Sequence, residues 1–190
     1  IGKVSTLKAD ADVSDGSTAG LVLLSKSANP KEGSIIANIN KNGEYRVFVF
    51  TGLDANGNPQ VSDLNSGIVP KTDDSIYKLK AEVSDGHIKY WINNELVCDT
   101  KQSYYETGRF GLNVYGGATS FKNVNLSNDV PSTETSISSS GLTFDNTPKD
   151  LHVSDDSYVV DGGKNNNGFA ISDQNIDTSQ GTYTLDMDSK

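Results

Sequence analysis

The stretch "ETGRFGLNVYGGATSFKNVNL", residues 106–126, decides the fold class. In an extended chain successive side chains point to opposite faces. Phe110, Leu112 and Val114 then share one face and read as core, while Gly111, Asn113 and Tyr115 share the other and face outward. Gly116-Gly117 ends the run in a turn, and "SFKNVNL" (120–126) starts another β-rich segment. The repeat is two, where a helix would place apolar residues three and four apart.

The same texture runs through the N-terminal two thirds. β-rich segments fall at 6–13, 19–25, 33–39, 44–50, 77–83, 87–93 and 96–100, with polar turns between them. Lys41-Asn42-Gly43 and Ser84-Asp85-Gly86 suit hairpins that need positive φ. No amphipathic helix of ten or more residues is evident. Short strands at this spacing predict an all-β fold, a two-sheet β-sandwich of the jelly-roll kind.

Residues 127–140 differ. "SNDVPSTETSISSS" is rich in Ser and Thr, holds two aliphatic residues, and reads as a linker. Beyond it, 141–190 returns to short strand-like runs at 142–145, 157–160, 168–172 and 182–187. Joined end to start, the chain reads "TYTLDMDSKIGKVSTLKADADV", a strand, a turn and a strand. The expectation is that 1–126 forms the main part of the sandwich. Residues 141–190 then supply its opening strands in permuted order, within one chain or exchanged in a strand-swapped dimer. The alternative is a truncated second repeat.

Length and composition set further bounds. The 190 residues, 34% of them hydrophobic, suffice for one domain with a core. A net charge of −9 argues against nucleic acid or an anionic membrane as partner, since phosphate contacts need clustered Lys and Arg. No apolar run is as long as a membrane span. The chain carries no signal peptide but starts at Ile1, so it reads as a processed or excised piece. The single cysteine, Cys98, excludes an internal disulfide and reads as a small buried residue rather than a nucleophile.

Catalytic and metal motifs are absent from the sequence. A glycosidase needs two facing carboxylates, whereas Asp15, Asp54, Asp73, Asp74 and Asp85 sit in turns and at strand ends. No Gly-x-Ser-x-Gly elbow occurs. "DANGN" (54–58) holds part of a calcium loop, but Pro59 stands where that loop needs glycine. No cofactor is expected. A structural calcium assembled from separate loops stays open, at no nameable residues.

Two outward rows suit sugar recognition. Tyr115 and Asn113 form one, as an aromatic ring beside an amide. Such a ring stacks on a sugar's C–H face while amides bond adjacent hydroxyls; an ordinary exposed tyrosine fits equally well. In "GSIIANINKN", Ile35, Ala37 and Ile39 share one face, and Asn38 and Asn40 lie on the other with Ser34 and Ile36. In "HIKYWIN" the lone Trp91 alternates with Tyr90 and reads as core or inter-sheet packing.

Residues 106–126 and the hairpin "GHIKYWINNELV" (86–97), in the order "AGLVLLSKS…EGSIIANIN…YRVFVF", resemble the concanavalin A-like sandwich of bacterial carbohydrate-binding modules. Laminin-G-like sandwiches share these features. The module type attached to levanases and other fructan hydrolases is similar over 1–126 and loosely so over 141–190. The resemblance implies a non-catalytic domain that binds a polysaccharide or oligosaccharide, of levan or inulin type. It also implies an accessory role in a secreted or wall-anchored glycosidase. By position it carries binding roles to Asn113, Tyr115, Asn38 and Asn40. After "GLVL" the family tends to have arginine, whereas this chain has Leu24-Ser25-Lys26. Lys cannot reproduce the planar guanidinium fork, so Arg46 and Arg109 join Lys26 as candidates. A cell-surface adhesin domain for a host glycan or protein is the alternative, and a structural spacer the third.

Overall fold

The computed structural model describes residues 4–13, 17–84, 86–128, 151–154, 157–164, 166–173, 175–177 and 184–185. The expected strand at 142–145 and the expected linker from 129 onward lie outside them. Ten strands span the N-terminal part: β1 Val4–Val13, β2 Thr18–Ser25, β3 Ser34–Asn40, β4 Glu44–Leu53, β5 Pro59–Ile68, β6 Ile76–Ser84, β7 His87–Ile92, β8 Glu95–Lys101, β9 Thr107–Tyr115 and β10 Ala118–Asn128. Five shorter ones follow: β11 Leu151–Ser154, β12 Ser157–Asp161, β13 Asn167–Ile171, β14 Ile176–Asp177 and β15 Thr184–Leu185. Among the described residues one 3-10 turn, Pro30–Glu32, is capped by the Asn29 side chain.

The strands make two sheets, and the protein is a β-sandwich. One sheet runs β11-β12-β10-β15-β1-β6-β7-β8. The other runs β13-β9-β2-β3-β4-β5, with β14 also on β9. Every pairing is antiparallel except that of β15 with β1. The strands after residue 150 pair with the main part in the same chain: β12 on β10, β13 and β14 on β9, and β15 between β1 and β10.

Strand alternation builds the core. Leu21, Leu23, Ile35, Ile39, Val49, Phe110, Leu112 and Val114 point inward from one sheet. Leu7, Leu79, Val83, Ile88, Tyr90, Ile92 and Phe121 meet them from the other. Each large side chain of this kind contributes about 1.5–3 kcal/mol by leaving water. Three tyrosine hydroxyls bond backbone carbonyls of other elements, while that of Tyr90 is buried without a hydrogen-bond partner among the described residues. Tyr45 donates to Val97 O (3.1 Å), Tyr77 to Lys41 O (2.9 Å) and Tyr105 to Phe50 O (2.7 Å).

Two expectations are corrected. Residues 59–68 form β5, although their polar composition gives no strand signal. As the edge of its sheet, β5 pairs on one side only and needs little apolar surface. Trp91 lies outside the core, half-buried on the outer side of its sheet with Lys80 Nζ 4.5 Å from its ring centroid. Its neighbour Tyr90 takes the interior position.

Gly43 holds the β3–β4 turn at φ +84°, and a Cβ there would stand 2.3 Å from Val69 O. Gly57 has a similar φ, +81°, with open space around it. Both alanine variants pay backbone strain of about 1 kcal/mol, but only Gly43→Ala must also displace backbone. Urea unfolding should show Gly43→Ala less stable than Gly57→Ala by about 1–2 kcal/mol. Equal midpoints would refute the steric argument.

Candidate functional site

The outer side of the β13-β9-β2-β3-β4-β5 sheet is laid out by register. One row reads Phe169, Asn113, Gly20, Asn38, Arg46, Ser66. The next, toward the β4–β5 loop, reads Ile171, Gly111, Val22, Ile36, Phe48, Asp63. A row on the other side holds Tyr115, Thr18, Asn40 and Glu44. Gly20 is required between its neighbours, since a Cβ there would stand 2.5 Å from Ala37 O and 2.7 Å from Asn38 Cβ.

This face has an apolar floor. Val22, Ile36, Phe48, Phe50, Phe169 and Ile171 form a second buried cluster, separate from the inter-sheet core. Phe48 and Phe50 meet edge to face, with centroids 5.1 Å apart. The Arg46 guanidinium lies 4.4 Å from the Phe48 ring centroid. Arg46 Nε donates to Asp63 Oδ1 at 2.6 Å, and the two side chains remain 45% and 66% exposed. Asn38, next to Arg46 in register, is half-buried. A cationic donor, an anionic acceptor and an amide thus gather on an aromatic floor within reach of solutes. That set can bond the vicinal hydroxyls of a sugar, while the buried floor beneath holds the polar groups in place.

The seven residues singled out from the sequence do not form one cluster. Asn38 and Arg46 lie together. Tyr115 is 46% exposed on the same face. Three strand spacings of about 4.8 Å separate its strand from that of Arg46, roughly 14 Å, too far for both to touch one sugar ring. Asn113 points outward as expected but is only 3% exposed. Strand β13 covers its edge, and its Nδ2 donates to Val114 O and to Asn167 Oδ1, each at 3.4 Å. Asn40 serves the turn: Oδ1 accepts from the backbone N–H groups of Asn42 (2.9 Å) and Glu44 (3.1 Å), and Nδ2 donates to Glu44 Oε2. Lys26 lies past the end of β2, its Nζ 4.8 Å from the Tyr105 ring centroid, away from the rows. Arg109 is half-buried on β9, opposite Ser25 and beyond the Asn113 row.

Sequence reading missed Phe48 and Asp63. The signal for Phe48 was present: in "EYRVFVF", Arg46, Phe48 and Phe50 alternate with Tyr45, Val47 and Val49. Asp63 sits in β5, which had no strand signal.

Other groups show their local roles. Asp54 accepts from the backbone N–H groups of Asn56 (2.8 Å) and Asn58 (2.9 Å), the pattern of an Asx turn. Those bonds, the one from Asn58 foremost, hold its carboxyl below the usual range. Among the described residues, no group of three or more His, Cys, Asp and Glu gathers as for a metal ion. Cys98 is buried, and that burial raises its thiol pKa above the usual value. His87 instead pairs with Asp99.

No protein-family model matches the chain. Over 121 residues the chain is 27% identical to a levanase of Bacillus subtilis (strain 168), an alignment that covers 63% of this chain. The matched region spans 17% of that relative's length. Among solved structures, the carbohydrate binding module CBM66 from Bacillus subtilis aligns at a TM-score of 0.48 and 16% sequence identity. That alignment covers 88% of this chain and 77% of that one. The likeness to levanases read from residues 1–126 is thus met by an aligned levanase. No helix among the described residues is long and apolar enough to cross a membrane.

Two outcomes follow. The Arg46–Asp63 pair is solvent-exposed, so Arg46→Ala should change unfolding free energy by under about 1 kcal/mol; a larger loss would mark the pair as structural. Cys98 in the native protein should react with iodoacetamide about 100-fold more slowly than in urea. Equal rates would contradict its burial.

Proposed function

We propose that this chain is a non-catalytic carbohydrate-binding module that holds a fructan of the levan or inulin type. In this reading it is an accessory part of a secreted or wall-anchored glycosidase. The observation that carries the reading is the exposed Arg46–Asp63 pair, seated on Phe48 beside Asn38. Support also comes from the region shared with a levanase.

In this reading Arg46 replaces the arginine that the Leu24-Ser25-Lys26 segment lacks. Its guanidinium donates to two adjacent hydroxyls, Asp63 accepts from a third, and Asn38 completes the polar set. Burial of the apolar floor keeps these groups at fixed spacing, so little conformational freedom is lost on binding. Tyr115 is the far end of the face and meets the polymer two or three sugar units away. Binding at each site is weak, and tethering to an enzyme strengthens retention on the polymer. In this reading the expected opening strands of the sandwich, assigned to 141–190, are represented by β11 to β15, written last in the chain.

The test is affinity electrophoresis and calorimetry on levan, inulin and a panel of host glycans. A charge-assisted hydrogen bond contributes about 1.5–3 kcal/mol, so Arg46→Ala should weaken fructan binding roughly ten- to a hundredfold. Tyr115→Ala should weaken polymer binding by a smaller factor and leave a disaccharide unaffected. Binding confined to host glycoproteins would replace this reading with an adhesin. Absence of any ligand would reduce the chain to a spacer.

A further inference from the structure

The segment between β8 and β9 reaches edge strand β5 across the flank of the sandwich. Buried Gln102 folds residues 102–105 into a turn. Its Oε1 accepts from the backbone N–H groups of Tyr104 (2.9 Å) and Tyr105 (3.1 Å), and its Nε2 donates to Tyr105 O (2.7 Å). The Gln102 backbone N–H donates to Gly86 O at 2.9 Å. Tyr105 is buried too, and its hydroxyl donates to Phe50 O on β4. The turn is thus anchored at both ends, and Tyr104 is held between the anchors, 43% exposed.

The Tyr104 ring is tilted 46° to that of Tyr105, with centroids 6.3 Å apart, and its hydroxyl meets Ser62 Oγ at 3.1 Å. A bond between two exposed hydroxyls adds little stability, because water competes for both. What the turn secures is the position of the ring. A tyrosine so held offers a large amphipathic surface at low entropic cost on binding. Ser62 joins this turn to the site on the outer face. Its neighbours Val61 and Asp63 point outward, opposite Phe50 and Phe48, and lie about 7 Å apart along the strand. Val61 is 44% exposed. Ser62, opposite Val49, points to the other side, where Tyr104 meets it. Among the described residues β5 is paired on one side only, so its free edge lies open between Asp63 and Tyr104.

We propose that this edge, from Asp63 over Val61 to Tyr104, is a second sugar subsite. It takes the next units of a neutral oligosaccharide whose first unit lies on Arg46 and Asp63, so the bound chain leaves the outer face across β5. The chemistry selects the occupant. Unpaired backbone groups of an edge strand and the Ser62 and Tyr104 hydroxyls both donate and accept hydrogen bonds, as sugar hydroxyls do. Val61 and the exposed ring supply apolar surface for C–H groups. Charges of both signs border the edge: Lys26 over the Tyr105 ring, Asp63 after Ser62, and Glu106 two residues beyond Tyr104. No ionic partner is favoured by such a border. That the occupant is a sugar rests on the carbohydrate-binding reading above; that it crosses β5 rests on Tyr104.

The full chain is titrated by NMR with methyl β-fructofuranoside and with a levan trisaccharide. The trisaccharide should bind more tightly than the single unit. Tyr104→Ala should weaken trisaccharide binding about three- to tenfold, the worth of one aromatic contact, and leave the methyl fructoside unaffected. Tyr104→Phe keeps the ring and should hold trisaccharide affinity within about twofold, and both variants should keep the melting midpoint. Arg46→Ala should weaken both sugars alike. If Arg46→Ala weakens the trisaccharide while Tyr104→Ala does not, the edge subsite is overturned and the fructan reading stands. Equal losses for both sugars in Tyr104→Ala would also overturn it. If neither sugar binds, both readings fall. Sedimentation without sugar should show a monomer; a dimer broken by Val61→Lys would give this edge to a second copy of the chain and overturn the proposal.

Discussion

The structure depends on one constraint: strand β9 must hide one row of side chains and show the other. Phe110, Leu112 and Val114 close the space between the sheets. Their alternates set the register of the outer face against β2 on one side and β13 on the other. A shift of one residue would carry the apolar row into solvent. The same alternation in β3 and β4 places Ile35, Ile39, Val47 and Val49 inside. It leaves Asn38, Arg46 and Phe48 on the proposed binding face.

The outer face is itself layered. Its centre is the cluster of Val22, Ile36 and the three phenylalanines, the aliphatics fully buried and the rings nearly so. Polar groups sit above or beside this floor: Arg46 stacks on Phe48, and Asp63 reaches over from the edge strand. An exposed ion pair adds little stability. An aromatic base under a guanidinium fixes the orientation of its donors, which recognition of a planar array of hydroxyls needs. Strand β13 both extends this sheet and seals Asn113, so it shapes the face.

Much of this was legible in the sequence. Period-two alternation identified the inward and outward rows of β3 and β9, because buried strands must separate apolar from polar residues. Edge strand β5 was invisible, since a strand paired on one side leaves little apolar trace in composition. Asp63 was lost with it. Asn113 and Asn40 were read as exposed binding amides because alternation reports direction and not cover: a neighbouring strand buried the first, and a turn consumed the second. Trp91 was read inward because a lone tryptophan is usually buried. Its outward position follows from Tyr90 holding the inward slot.

The most direct test of the central claim is to map amide chemical-shift changes by NMR as a short, neutral levan oligosaccharide is added. The account predicts that perturbations concentrate on residues 36–48 and 61–66, around Arg46, Phe48 and Asp63. Perturbations confined to the Lys26–Tyr105 end, or to the Trp91 side, would contradict it.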